Sequence, residues 1–205
     1  MNVILFDQNR KNFYPLSFTR PISLFRVGIL TIKEKWEHYY QSVSVKTEDY
    51  LAIKFPLKIQ KDNLWIDARI LPSQSLITEL NSLRIGESLE KDGEVIAFRN
   101  SIFETSKLNL IYSNSSFNTI KNLWEIFLQN EREIENDFKS MSKAKSHKIS
   151  SNNTLIGNKI FIEKGAKVSC SILNSKSGPI YIGKDAEVME GSIVKGPFAM
   201  LNNSV

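Results

Sequence analysis

The feature that most limits how this chain can fold lies in its last quarter, where aliphatic residues recur every six positions. Ile156, Ile162 and Val168 form one series, and Ile182, Val188 and Val194 form a second. Small residues travel with them. Gly157 and Gly183 follow Ile156 and Ile182, and Ala166 and Ala186 stand four residues after Ile162 and Ile182. A surface helix repeats near every 3.6 residues and a half-buried strand every two. A period of six instead fits parallel coils with flat faces, each hexad turning one aliphatic side chain inward while small residues let the chain round the corner. Val168 and Ile182 are 14 residues apart, two more than two hexads, so Ser175-Lys176-Ser177-Gly178-Pro179 is expected to form a corner loop. About three hexads make a turn, so 154–205 holds two to three turns. The series reaches Val205 with no terminal helix or polar coil to cover it. Stacked repeats need such a cap, and the expectation is a truncated repeat, cut within its coils.

The preceding residues follow other rules. Six of the nine glycines lie in 151–205, whereas Trp36, Trp65 and Trp124 all lie before residue 150. The expected organisation is an α/β domain over 1–140, a basic linker over 141–153 and coils over 154–205. Asn2 to Asp7 is a continuous apolar run closed by an acid, which fits a buried strand. Ile29, Ile32 and Trp36 have helical spacing. Leu64-Trp65-Ile66 is a second apolar run, and Pro72-Ser73 opens a helix that ends before Gly86. Asp92-Gly93 marks a hairpin between Glu87–Glu90 and Val95–Phe98. Leu108 to Tyr112 reads as a strand. Ile120, Leu123, Phe127, Ile134 and Phe138 share one helical face, with Glu131, Arg132, Glu133 and Glu135 largely off it.

Composition removes several classes of function. With 41% hydrophobic and 24% charged residues the chain has the makings of a packed core. Its apolar runs are far too short to span a bilayer, and no secretory signal opens it, so a cytoplasmic protein with no membrane partner is expected. A lone cysteine, Cys170, makes no internal disulfide or metal cluster, and it is expected to be buried. His38 and His147 are too few for a histidine zinc site. The net charge of +5 is balanced locally, except from Lys139 to Lys148. There Ser140, Ser142 and Ser146 separate the charges and no aromatic is interleaved, so a solvated linker is expected and no nucleic-acid partner.

One stretch carries a family likeness. The first strand is followed by a basic loop, then Pro15-Leu16-Ser17, Thr19-Arg20-Pro21 and Arg26-Val27-Gly28. This order resembles the N-terminal signature of sugar-1-phosphate nucleotidyltransferases. With hexapeptide coils behind it, the chain resembles the bifunctional N-acetylglucosamine-1-phosphate uridylyltransferase/acetyltransferases. It is most similar to the divergent sugar nucleotidyltransferase family of Bacteroidetes bacteria. The resemblance implies a Rossmann-like layered α/β domain followed by a left-handed parallel β-helix of hexapeptide repeats. It implies transfer of a nucleotidyl group from a nucleoside triphosphate to a sugar phosphate, releasing pyrophosphate and supplying nucleotide sugars of the cell-envelope polysaccharide kind. It further implies Mg²⁺, a homotrimer built through the coils, and an acyltransferase activity whose residues would lie beyond Val205.

The reaction needs cations around phosphate and a metal on carboxylates. Arg20 and Arg26 are the candidate catalytic phosphate ligands. Asp7, Arg10, Thr19 and Arg69 are candidate substrate-binding residues, and Asp67 is the candidate metal ligand, with Asp7 as a second. Both acids close strands, where ligands approach an open α/β sheet. The residues also admit plainer readings: strand-closing turn acids, arginines in surface ion pairs with Glu34 or Asp67, and caps at Thr19 and Ser23. The sequence departs from the family in three places. Asp7-Gln8-Asn9-Arg10-Lys11 has no glycine, Ile22 stands at the phosphate-binding lysine, and Arg69 stands at the metal-binding acid. A nucleotide-sugar-binding or assembly module that has lost catalysis is therefore the alternative reading.

Overall fold

Val3, Ile4, Leu5 and Phe6 are all buried, so the first strand must be covered on both faces. The computed structural model describes residues 1–141 and 146–205. It places β1 (Asn2–Phe6) inside a six-stranded sheet with β2 (Ser42–Lys46), β3 (Asn63–Asp67), β4 (Glu87–Lys91), β5 (Glu94–Asn100) and β6 (Asn109–Tyr112), ordered β2-β1-β3-β5-β4-β6. β1 pairs in parallel with β2 and β3, and β4 with β6. The Asp92-Gly93 hairpin makes β4 and β5 antiparallel and lays β5 antiparallel on β3. The carboxyl ends of β1, β2 and β3 thus share one sheet edge with the start of β5. The opposite edge is closed by buried Asn2 and Asn63, joined through Asn2 Nδ2 and Asn63 Oδ1 at 2.7 Å.

Helix α1 (Ile32–Glu37) starts on a capping box between Thr31 and Glu34, which satisfies two backbone donors that a helix start otherwise leaves open. Helix α2 spans Asp49–Ala52, and α3 spans Gln74–Ser82 behind the Ser73 cap. Helix α2 was not expected, and two further features differ from expectation. Strand β2 reads Ser-Val-Ser-Val-Lys, the alternation of a half-covered edge strand. The face expected as one helix is broken into α4 (Glu125–Leu128) and α5 (Asn130–Met141). Ile120 is buried ahead of both, and Phe127 is exposed.

The chain divides into two compact units, one of Met1–Arg26 with Leu30–Ile126 and one of Val27–Ile29 with Phe127–Val205. Residues 142–145, in the first half of the expected basic linker over 141–153, lie outside the described residues. In the second unit, β7 (Thr154–Ile156), β8 (Ile160–Ile162), β9 (Lys167–Val168), β10 (Ile172–Asn174), β11 (Ile180–Ile182), β12 (Glu187–Val188), β13 (Ile193–Lys195) and β14 (Phe198–Met200) fall in rotation into three parallel sheets, β13-β10-β7, β14-β11-β8 and β12-β9. Side chains from all three sheets meet in one core of Ile162, Val168, Leu173, Ile180, Ile182, Ala186 and Val188, with Val194 against it. Five residues, Ser175–Pro179, separate β10 from β11, against three, Gly157–Lys159, between β7 and β8. The extra pair is absorbed at that corner.

Two expectations fail here. Ile156 is not a core residue. It pairs with Asn174, which in turn pairs with Lys195, while Leu155 pairs with core Leu173 and is itself 51% exposed at the open end of the stack. Side chains alternate along a strand, so a shift of one residue exchanges inside for outside. Cys170 is exposed, because it takes a left-handed corner conformation (φ +49°) instead of continuing the strand of Val168.

Helix α5 covers the outer side of the β8-β11-β14 sheet. Ile29, Ile134, Phe161 and Tyr181 form one core, with Phe138, Met141, Ala199 and Leu201 against it. The Phe161 and Tyr181 rings stack at 6.1 Å. Gly28 N–H donates to Asn130 Oδ1 at 2.8 Å, and Ile29 N–H to Asp137 Oδ2 at 2.9 Å. Glu133 also lies on the buried side of α5, against expectation. Gly28 has φ +89°, and a Cβ there would stand 2.6 Å from Asp137 Oδ2 and 2.7 Å from the Glu133 backbone. Gly28→Ala is therefore expected to cost about 2 kcal/mol, measured as a lowered midpoint of urea unfolding. An unchanged midpoint would show that α5 yields without cost.

Candidate functional site

The carboxyl edge of β1, β2 and β3 is where an open α/β sheet receives ligands, and it gathers two separate charge clusters. The first is centred on Asp7, directly after β1. Ile22 N–H donates to Asp7 Oδ1 at 2.9 Å, and Thr47 Oγ1 donates to Asp7 Oδ2 at 2.6 Å. Arg10 Nη1 donates to the same Oδ2. Buried Arg10 also donates to Ser17 O and Thr47 Oγ1, and its Nε lies 3.8 Å from Glu48 Oε1. Burial pushes the Asp7 carboxyl above its ordinary value, against the hydrogen bonds and charge that pull it down.

The loop that makes this cluster contains no glycine, yet it needs one left-handed residue. Asn9 supplies it at φ +53°, as a short polar side chain can. Ile22, at the position of the family's lysine, is fully buried. Its contribution here is the backbone N–H on Asp7.

The second cluster closes β3. Arg69 N–H donates to Asp67 Oδ1 at 2.9 Å, closing a tight turn. Arg69 Nε lies 3.1 Å from Oδ1 and 2.9 Å from Oδ2, and Nη2 lies 2.6 Å from Oδ2. The same Nη2 reaches Glu94 Oε2 at 2.8 Å. The side chains of Asp67 and Arg69 are 1% and 2% exposed. Burial raises the Asp67 carboxyl, and the Arg69 guanidinium opposes that rise.

Beside the end of β1 and the adjoining part of β5 lies a cavity of about 260 Å³ lined by Phe6, Asp7, Gln8, Val95, Phe98, Phe103 and Thr105. Its walls are aromatic. Phe103 packs on Phe6 at 5.2 Å, on Trp65 at 5.2 Å and on Phe98 at 5.5 Å. Lys46, at the end of β2, holds its ammonium 4.5 Å from the centre of the Phe103 ring.

The structure thus joins Asp7 to Arg10 and Asp67 to Arg69. Arg20 and Thr19 are exposed and bond neither pair. Thr19 Oγ1 donates to Leu16 O at 3.5 Å, a local closure of the turn. Arg26 pairs with Glu34 at 3.5 Å, with both side chains more than a third exposed, a pair worth little in water. Ser23 is buried. Thr47, Glu94, Lys46 and Phe103 were missed in the sequence. The alternation of β2 and the hairpin register were the available signals for the first three. Phe103 had none, since it comes from an irregular loop.

The donor set does not fit a resident Mg²⁺. Each of the two candidate carboxylates has both oxygens engaged, in each case with a guanidinium among the donors. Mg²⁺ keeps several waters and demands near-octahedral geometry, which a side chain 1% exposed does not offer. No group of three or more metal-ligating side chains occurs among the described residues.

A family model described as sugar nucleotidyl transferase matches residues 3–146. The chain belongs to the sugar nucleotidyl transferase family. No curated protein matches it. The family's region contains the six-stranded sheet from Val3 onward, both charge clusters and the aromatic cavity. No helix among the described residues is long and apolar enough to cross a membrane.

Proposed function

We propose that the chain binds a nucleoside triphosphate or nucleotide sugar together with a sugar phosphate at the carboxyl edge of β1 and β3, and that turnover by this chain is weak or absent. The observation that carries this reading is the aromatic cavity beside Asp7 and Lys46, set inside a sugar nucleotidyl transferase domain. Aromatic walls suit a planar base, and exposed arginine and lysine suit phosphate. The loss of catalysis is favoured by the two closed clusters, since nucleotidyl transfer requires free cations and a metal around the phosphates.

The rotation of strands through three parallel sheets supports a parallel β-helix of hexapeptide repeats, and we propose that it is left-handed and trimeric as in the proteins the chain resembles. An exposed lone thiol, Cys170, suits a reducing cytoplasm. The nucleotide sugar would serve cell-envelope polysaccharide synthesis.

Calorimetric titration with UTP and UDP-N-acetylglucosamine at fixed salt tests the reading. Binding is expected in the millimolar range or tighter. Arg20→Ala should weaken it by about tenfold, or about 1.4 kcal/mol, and by more than Lys11→Ala. Absence of binding by either probe at millimolar concentration would remove the reading. Equal binding by wild type and both variants would remove Arg20 from the site.

A further inference from the structure

The second cluster stands out because its buried carboxylate is paired from within, by an arginine two residues along the chain. Asp67 and Glu94 bring two carboxylates to the end of β3, the arrangement on which a divalent cation would ordinarily be expected. Arg69 is turned back onto both of them. Its guanidinium makes contacts of 2.6 to 3.1 Å with Asp67 and one of 2.8 Å with Glu94. The arrangement is prepared by the backbone. Arg69 N–H bonds Asp67 Oδ1, Arg69 O accepts from Ile120 N–H at 2.9 Å, and antiparallel pairing of β3 with β5 brings Glu94 alongside. A surface arginine would spend side-chain entropy to make such contacts. Here that cost is met by folding, because Arg69 has no solvent to sample.

We infer that Arg69 is a built-in cation that replaces a divalent metal at the carboxyl end of β3. The Asp67–Glu94 pair then holds no divalent ion while Arg69 is present, and ligand binding at this sheet edge is indifferent to chelators. A guanidinium differs from Mg²⁺ in what it can do there. It carries one charge, it cannot be exchanged, and it brings no labile water. It can organise the edge, but it cannot bridge two phosphate groups. The chelator part of the inference rests on the ligand reading above, and the metal part does not.

The test uses Mn²⁺ alone, followed by water-proton relaxation, on the full chain and without nucleotide. Wild type and Asp67→Asn are expected to give the same weak background. Arg69→Ala is expected to gain a Mn²⁺ site at least about tenfold tighter than that background, and Mn²⁺ should raise its melting midpoint but not that of wild type. A wild-type Mn²⁺ site that Asp67→Asn abolishes would overturn the inference. A folded Arg69→Ala chain with no gain in Mn²⁺ affinity would also overturn it. If Arg69→Ala does not fold, the comparison of wild type with Asp67→Asn still decides. A separate arm titrates UDP-N-acetylglucosamine with EDTA or with Mg²⁺. Equal affinities support the inference, and binding that requires Mg²⁺ overturns it. Failure of this probe to bind at all counts against the ligand reading alone, while the Mn²⁺ arm still decides the role of Arg69.

Discussion

Ile182→Asp should collapse the coils at a cost of about 4 kcal/mol or more, while Ile156→Asp should cost less than about 1 kcal/mol. Both are isoleucines at hexad positions of the sequence, and both end a strand. They differ in burial. Ile182 is fully buried in the core shared by three sheets. An aspartate there would have no partner, and burying an unpaired carboxylate is among the most costly single changes known. Ile156 lies outside that core, in register with polar Asn174 and only partly buried, where an acid stays hydrated. Urea unfolding followed by far-ultraviolet dichroism measures both. Equal effects would mean that the coil interior has been assigned to the wrong residues.

The second large effect concerns the pair at the end of β3. Arg69→Met should destabilise the chain by about 3–5 kcal/mol, because it leaves the Asp67 charge buried and uncompensated. The double variant Asp67→Leu/Arg69→Met should recover most of that loss, since no charge then remains buried. Glu94 is 42% exposed at its side chain and can turn to water. The single variant should also acquire a particular pH dependence. Burial already raises the Asp67 carboxyl above its ordinary 3.8, and loss of Arg69 raises it further. A group whose folded value is raised binds more protons in the folded state. Stability therefore falls as pH rises through the interval between the ordinary and the raised value. Arg69→Met should be closest to wild type in acid and worst at neutral pH. A deficit independent of pH, or a double variant no better than the single, would show that packing dominates over charge.

The parts of this molecule that were legible in its sequence are those set by local pattern. The continuous apolar run of β1, the Asp-Gly hairpin and the two-residue excess at Ser175–Pro179 each follow from periodicity or turn chemistry, and each is found in place. The phase of the hexads was less secure. Leu155 and Ile156 are adjacent aliphatics, and only pairing with Leu173 decides which shares the register of the core. The candidate charges were visible as residue types, but their partners were not. That Arg69 would turn back on Asp67 depends on a turn and on Glu94, which comes from another strand. That Arg10 would be buried depends on the local fold of the loop, which brings Ser17 to it, and on the sheet, which brings Thr47. Side chains that bind one another and side chains that bind a ligand have the same letters. Only their distances separate them.

The placement of Val27–Ile29 bears on how the chain is made. A ribosome releases these three residues long before the partners that hold them. Gly28 waits for Asn130, 102 positions later, and Ile29 for Asp137, 108 positions later. Closing such long loops delays folding more than it alters final stability. Until α5 and the first coils have emerged, Ile29 remains an uncovered apolar residue in the nascent polypeptide. Expressing residues 127–205 alone would leave the opposite gap, with the Ile29 side of Phe161 and Tyr181 open to solvent. A clean dissection of this protein into two independent fragments would have to supply Val27–Ile29 to the second one.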